Sequence, residues 1–429
     1  LRAGQSAASR QAVLSRLGFL NDVYAQGLTF RNISNVLVNG VNIETGQANI
    51  PYKNPSKYHT LNVRLDHRLT ANDTLTARYY LNDRADVNAI SNCNFGAQFC
   101  GDQALKDTNA ALSYTRVFGS SVVNEARTSW VRRDLGFPEN DPKSPTAAIS
   151  GLFTIGGLSN FPQGRVTDNF QFNNTTTWTR GKHTLKFGVD LRYNKVLNSA
   201  DFNSKGTFAF NSLQDYMNNT AFSLTQALQS GSFKAKQWQN AFFVQDNFRV
   251  TPDLTLNLGV RYEIADLPFG MFGATDAQRL AALIPGPAQK DTNNIAPRVG
   301  FNWSPSSGGG FFGDGKSVVR GGFGMGYDVI FYNILTVVTN PNVVTPVVNN
   351  VVDTYPNLLQ AGGSATFNAL TDSSTNTPSD LQNPDSKFWS LSVGREIGQF
   401  VVELGYTGSS SGHGINQIHA NPSVLTADQ

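Results

Sequence analysis

Two cysteines are the only thiols of this 429-residue sequence. Cys93 and Cys100 are separated by six residues in a polar stretch, and the five histidines are scattered elsewhere. No Cys-x-x-Cys pair, haem motif or Cys/His cluster surrounds them, so their chemistry is not that of a metal site. The spacing predicts a disulfide within one loop in an oxidising compartment. The alternative is a pair of free thiols in that loop.

Two other segments resemble ligand sites but lack the context that such sites need. Residues 321–326 read Gly-Gly-Phe-Gly-Met-Gly, yet no helix follows, so a dinucleotide loop is not favoured. We expect Gly322, Gly324 and Gly326 to be small residues on the polar face of a strand. Residues 372–385 are rich in oxygen donors that suit calcium but lack the spacing of a calcium loop, which favours a solvated surface loop. No catalytic set occurs in a coherent element, so the sequence predicts neither an enzyme nor a bound cofactor.

The composition favours extended structure with many turns. Charged residues make up 15%, against an average near 25%, while 39 glycines and 29 phenylalanines are present. Aromatic residues this frequent argue against disorder. The net charge of +3 gives no support for nucleic-acid binding. No run of about 18 apolar residues predicts a transmembrane helix, and we interpret a chain that opens Leu-Arg-Ala-Gly as a fragment or a processed product.

Strict alternation of apolar and polar residues is the main structural signal. From Leu254 to Ile264 every second residue is apolar, which predicts a strand with one apolar and one polar face. The segment 238–248 alternates in the same way, and Thr251-Pro252-Asp253 between the two is a turn signal. Five further segments repeat this pattern, giving about twelve strands in six hairpins: 61–81, 110–130, 170–193, 299–327 and 389–406.

The connections alternate in length, short within hairpins and long between them, apart from the longer turn at 304–316. Outer-membrane barrels have short periplasmic turns and long extracellular loops, whereas a soluble sandwich has no reason to alternate them. The sequence therefore predicts an all-β fold, a transmembrane antiparallel β-barrel, with residues 1–56 as a preceding loop region, 57–407 as barrel and 408–429 as the start of a further loop. The long links, in which we expect short helices such as Leu213–Leu228, are 85–107, 136–168, 198–233, 267–294 and 331–386.

The tryptophans add an independent signal, because all five have the apolar parity of their strands. Trp178 and Trp303 lie beside short turns, while Trp130, Trp238 and Trp389 lie toward long links. Aromatic girdles at the two lipid interfaces of a barrel have this placement. The alternative is a set of core tryptophans in a soluble β-barrel.

Charged residues of the opposite parity are predicted to face a water-filled lumen. They are Arg64, Asp66, Arg78, Arg127, Asp190, Arg192, Arg249, Arg261, Glu263 and Arg320. Opposite charges on neighbouring strands can pair across such a wall. Arg116 has the apolar parity instead, near a short turn from which it can snorkel to the interface. The alternative is the solvated outer face of a soluble sheet.

Four segments resemble the TonB-dependent receptors, in particular the Oar-like, carboxypeptidase-regulatory-domain-containing group. They are Leu61–Tyr79, Gly181–Asp190, Ala241–Glu263 and Asn294–Phe301. The resemblance implies a bacterial outer-membrane barrel of about 22 strands with a plugged lumen, of which the twelve strands here would be a segment. It also implies a plug domain and a TonB-contacting segment before the barrel, neither of which is recognisable in this sequence.

From the resemblance we expect an uptake receptor that passes a substrate through its lumen. Its partners would be the outer-membrane lipid bilayer, its own plug domain and a TonB-type energy-coupling protein. A non-energised porin, an adhesion barrel and a soluble β-rich secreted binding protein are the alternatives. The substrate is not indicated.

Overall fold

The computed structural model describes residues 3–90, 99–200, 202–227, 232–267, 289–330, 347–358 and 381–416. Twelve strands form one sheet in which all neighbours are antiparallel, in the order β19-β18-β16-β15-β14-β13-β10-β9-β6-β5-β4-β3. This confirms the predicted twelve strands and the all-β class. The strands are β3 (Ser56–Arg68), β4 (Asp73–Ile90), β5 (Gly101–Phe118), β6 (Val122–Phe137), β9 (Gln163–Arg180), β10 (His183–Ala200), β13 (Phe233–Thr251), β14 (Leu254–Ala265), β15 (Ile295–Trp303), β16 (Ser317–Tyr327), β18 (Asp385–Ile397) and β19 (Phe400–Gly412).

Short turns close five of the six hairpins, and the connection between β15 and β16 is longer, as predicted. Two residues, Gly181 and Lys182, join β9 to β10, and Gly398 and Gln399 join β18 to β19. Both glycines have positive φ, 58° and 62°, which a two-residue hairpin turn needs. The longer connection between β15 and β16 holds a short helix, α4 (Gly310–Gly313).

Several strands continue well past the predicted link boundaries. The link expected at 85–107 is mostly strand, because β4 runs to Ile90 and β5 begins at Gly101. Likewise β9 and β10 have 18 residues each, while about 9–11 suffice to cross a bilayer. The alternation of apolar and polar residues ends where polar residues occupy both faces, but the backbone pairing continues beyond that point. The sequence pattern therefore predicted strands that are too short. The sheet ends at Gly412, beyond the predicted barrel boundary at 407.

A second sheet forms from three of the long links and was not predicted. Its five strands have the order β17-β12-β11-β7-β8. Of its four strand pairs, three are antiparallel and one, β11 with β7, is parallel. Their bounds are β7 (Thr146–Ile149), β8 (Phe153–Ile155), β11 (Thr207–Phe210), β12 (Thr220–Thr225) and β17 (Val347–Val352).

The N-terminal segment packs against this second sheet. It comprises α1 (Ala7–Leu17), α2 (Phe19–Ala25) and the hairpin β1 (Arg31–Val38) and β2 (Val41–Gln47). One hydrophobic cluster joins Val13 and Val38 of this segment to Phe208, Tyr216 and Tyr355. We call this unit, residues 3–47 with the five-stranded sheet and its linking segments, the loop domain.

The helix predicted over Leu213–Leu228 is shorter than expected. Helix α3 (Leu213–Asn218) ends at Asn219, whose backbone is left-handed with φ 54°. Residues 220–225 then form β12, which pairs with β11 and β17. Strand pairing and burial of Leu224 thus outweigh helix continuation. No helix among the described segments is long and apolar enough to cross a membrane.

Candidate functional site

The register of the large sheet sorts its side chains into two faces, since directly opposed residues of an antiparallel pair share a face. One row illustrates this: Asn173 on β9 lies opposite Asp190, which lies opposite Ala241, which lies opposite Glu263. Following the register across all twelve strands places the ten predicted lumen residues on one face, which we call the charged face. The five tryptophans lie on the other, the tryptophan face.

An aromatic row crosses four strands of the tryptophan face. Trp130, Phe170, Tyr193 and Trp238 are directly opposed in that order on β6, β9, β10 and β13. The rings of Tyr193 and Trp238 have centroids 4.6 Å apart. Trp178 is near the end of β9, beside a two-residue turn, and Trp303 ends β15, before the longer connection to β16. Trp130 is in mid-strand because β6 extends to Phe137.

The charged face carries an ion network that reaches across three strands. Arg261 forms an ion pair with Glu263 on its own strand and lies 3.9 Å from an Asp190 carboxylate oxygen two strands away. The amide of Gln171 donates to Asp190 at 2.9 Å. Ala241 lies opposite both Asp190 and Glu263, and its small side chain leaves the guanidinium room to span β13.

The other predicted lumen residues form local pairs or make no ion pair with another residue that the structure describes. Arg64 donates from Nε to Asp66 at 2.6 Å, and Thr76 donates to the same carboxylate at 2.7 Å. Arg127 pairs with Glu125, and Arg192 donates to Gln239 at 3.4 Å. Arg78, Arg249 and Arg320 lie at register positions opposite Arg64, Thr255 and Asn302. The structure therefore brings these residues to one face but not into one cluster.

A groove of about 570 Å³ lies along β13 to β19. On the charged face its lining includes four glycines and three larger residues: Gly259, Gly300, Gly322, Gly324, Arg298, Phe388 and Ser390. At Gly300, Gly322 and Gly324 an added Cβ would meet nothing closer than 3.3 Å. On the tryptophan face the opposite holds, because the ring of Trp389 would come within 2.4 Å of a Cβ on Gly408. Packing within the sheet therefore does not require glycine at Gly322 and Gly324, where the missing side chains leave space in the groove.

Polar side chains also interrupt the tryptophan face, which alternation did not reveal. Asn124 donates to Asn174 at 3.0 Å and to Thr176 at 2.8 Å, and Asn174 donates back at 3.2 Å. Asn124 and Asn174 are polar residues at positions of apolar parity. The sequence pattern shows them only as exceptions, whereas the structure shows that their amides bond to each other. Arg116, predicted to snorkel, lies 3.6 Å from Asp73, which also accepts from the Tyr114 hydroxyl at 2.5 Å.

The ends of the strands distinguish the two faces by burial. On β10 and β13, residues of the charged face such as Val196, Asn198 and Ala235 are at most 5% exposed. Lys195 and Lys236, which alternate with them on the tryptophan face, are exposed. The segments that follow β14 and β16 cover the charged face at Gln237. The side-chain amide of Gln237 donates to the carbonyls of Asp266 and Ile330 in these segments, at 2.7 and 3.0 Å. The links therefore fold over the charged face.

The predicted disulfide and the oxygen-rich loop are only partly within the described structure. Cys100 is 1% exposed and disulfide-bonded. Cys93 lies outside the described residues, so the pairing with Cys93 stays a prediction. Most of the segment 372–385 lies outside them as well. Within the described ranges no group of three His, Cys, Asp or Glu residues could hold a metal ion.

A continuous antiparallel wall with one aromatic face and one charged face defines the class of membrane-spanning β-barrels. The family described as outer membrane beta barrel domain matches residues 37–428, and the chain belongs to this family. It is accordingly a protein of the bacterial outer membrane. Among curated proteins, none is significantly similar to it in sequence.

Outer-membrane transporters and receptors are among the solved structures with a similar course of the chain. The outer membrane transporter YddB from Escherichia coli has 14% identity and a TM-score of 0.49, over 82% of this chain and 46% of its own. The siderophore receptor PirA from Pseudomonas aeruginosa has 10% identity and a TM-score of 0.46, over 83% and 46%. A ferric enterobactin receptor (PfeA) mutant from Pseudomonas aeruginosa has 11% and 0.48, over 84% and 43%. The chain thus spans less than half the length of these structures.

Proposed function

We propose that this chain is the barrel wall of a TonB-dependent uptake receptor of the Oar-like group. The charged face lines the lumen, the tryptophan face contacts lipid, and the loop domain lies outside the cell, where substrate first binds. A plug domain and a TonB-type energy-coupling protein act with this wall in the full-length protein. The family membership supports a barrel, and the resemblance of its hairpins supports the receptor group.

The observation that carries the orientation is the burial of the charged face by the links. Loops that fold inward over a barrel mouth cover residues of the lumen side and leave the lipid side bare. Asn198 and Ala235 are covered, whereas Lys195 and Lys236 are not. A soluble sheet gives no reason for this asymmetry.

Tryptophans of both proposed girdles lie in one row of directly opposed residues, which supports the same orientation. Six successive register pairs connect Trp389 on β18 to Trp178 on β9. At ~4.8 Å per strand and a tilt of about 40°, such a row rises by roughly 20 Å, most of the ~25 Å height of the apolar band. One row can therefore contain a tryptophan of each girdle.

A porin is the main competing function, and single-channel conductance separates the two. We expect the full-length protein to be closed in planar bilayers, because a plug fills the lumen, and to conduct steadily once the segment before residue 1 is deleted. Constitutive conductance of the full-length protein would instead indicate a porin.

Energy coupling is tested in cells that express the full-length gene. Untargeted mass spectrometry of the medium should show solutes that are depleted only when the TonB-type protein is also present. Equal depletion without that protein would contradict an energised receptor.

A further inference from the structure

A patch of three lysines lies on the tryptophan face beyond the aromatic row. Lys195 on β10 and Lys236 on β13 are directly opposed, two residues beyond Tyr193 and Trp238 in the direction of the long links. Lys234 follows on the same face of β13, opposite Leu197. All three side chains are exposed. We call these residues the outer lysine patch.

Within the described segments, no carboxylate compensates the patch. Asp168, the residue opposite Lys195 on β9, is bound by Arg132 at 3.0 Å and by the Trp130 indole at 3.0 Å. Asp266, near Trp238, pairs with Lys290 at 2.7 Å. Among the residues that the structure describes, no Asp or Glu oxygen lies within 4 Å of the three ammonium groups. Lys195 and Lys236 carry like charges at directly opposed positions on adjacent strands, which is destabilising. An anion bound between them would therefore stabilise the patch.

Aromatic surface lies directly beside the patch on its membrane side. The Lys195 ammonium is 5.5 Å from the Phe170 ring centroid and 5.4 Å from that of Tyr193. Phe170 and Trp238 are 41% and 46% exposed, so their rings are available to an apolar ligand. A ligand that fits both parts has a negative headgroup next to hydrocarbon chains.

We propose that the outer lysine patch binds the phosphate group of an outer-leaflet lipid whose acyl chains lie along the aromatic row. Aromatic belts mark the headgroup level of a membrane, so the three ammonium groups are at the depth of lipid phosphates. Basic residues at that level attract anionic lipid. The proposal depends on the orientation of the two faces given above, and not on TonB or on the transported substrate.

The test uses the full-length protein in mild detergent and native mass spectrometry with bisphosphorylated lipid A. The triple variant Lys195→Gln, Lys234→Gln and Lys236→Gln should bind about 100-fold more weakly, at about 5-fold per lysine. A control triple, Lys143→Gln, Lys182→Gln and Lys316→Gln, removes the same charge from a link, the short β9–β10 turn and the longer β15–β16 connection. It should bind like the wild type. Heat-modifiable electrophoretic mobility checks the fold, and Lys236→Gln alone provides a milder variant, expected at about 5-fold.

Two further arms identify the group that is recognised. Dephosphorylated lipid A should bind the wild type as weakly as the phosphorylated lipid binds the triple variant. Inorganic phosphate should not displace the lipid at equal concentration. Unchanged binding by the triple variant, equal binding of the dephosphorylated lipid, or displacement by inorganic phosphate would each overturn the proposal. Because this assay involves neither conductance nor uptake, its failure is distinct from failure of the proposed function.

Discussion

At the scale of single residues, the two faces should respond oppositely to charge. Val260, in the middle of β14, lies between Val244 and Pro297 on the tryptophan face. An arginine there should cost about 2–4 kcal/mol, the range for a basic residue at the bilayer midplane of a barrel. Asn257 lies on the charged face between Asn247 and Gly300, so Asn257→Arg should cost far less.

The measurement is the free energy of unfolding of both variants in lipid vesicles. Leu258 is a poorer probe, because Asp246 lies directly opposite it and would pair with an introduced arginine. Equal tolerance of Val260→Arg and Asn257→Arg would indicate a soluble sheet. Greater damage at Asn257 would mean that the faces are reversed.

Gly188 should be the least replaceable glycine of the charged face. A Cβ there would lie 2.1 Å from the Asn174 carbonyl oxygen, which is backbone and cannot rotate away. We expect Gly188→Ala to cost at least about 3 kcal/mol, the upper end of overpacking. Gly322→Ala is the matched control, since its nearest neighbour is 3.6 Å away. Similar folding yields for the two variants would show that the β9–β10 pairing is wrong.

The disulfide prediction is tested by mass spectrometry of a non-reduced digest. A peptide in which a disulfide links Cys93 to Cys100 is expected. Removal of this disulfide should cost about 2–3 kcal/mol of local stability by loop entropy. Two free thiols in protein taken from the outer membrane would contradict it.

At the scale of elements, Asn219 connects α3, β12 and the N-terminal segment of the loop domain. Its side chain is fully buried and donates to the Ser9 hydroxyl at 2.5 Å and to the Tyr355 carbonyl at 2.8 Å. Burial also raises the pKa of Tyr216 and Tyr355, so both phenols beside it stay neutral. The loop domain therefore has a closed core of its own.

Asn219→Ala should open the loop domain without unfolding the barrel. Two lost hydrogen bonds cost about 2 kcal/mol and the left-handed backbone about 1 more, whereas Asn219→Gly avoids the backbone part. Protease added to intact cells should cut the Ala variant fastest, the Gly variant next and the wild type last. Loss of heat-modifiable mobility in the Ala variant would contradict an independent loop domain.

At the scale of the whole molecule, alternation predicted the six hairpins because each wall strand separates two environments. The run Leu254 to Ile264 carries that signal in its own residues. The loop domain has no such signal: β7 and β11 are four residues each and largely buried, and they pair across about 60 residues of chain. The patterns also assigned the charged residues to one face of the sheet but could not show the Asp190–Arg261 contact, which depends on Ala241 from a third strand.

In the proposed orientation the short turns face the periplasm and the loop domain faces the exterior. Single cysteines replace Ser120, an exposed residue of the β5–β6 turn, and Gln214, an exposed residue of α3. Intact cells are treated with a membrane-impermeant maleimide, with the parent protein as background. We expect labelling of Gln214→Cys on intact cells and of Ser120→Cys only after lysis. Labelling of Ser120→Cys but not Gln214→Cys on intact cells would contradict it.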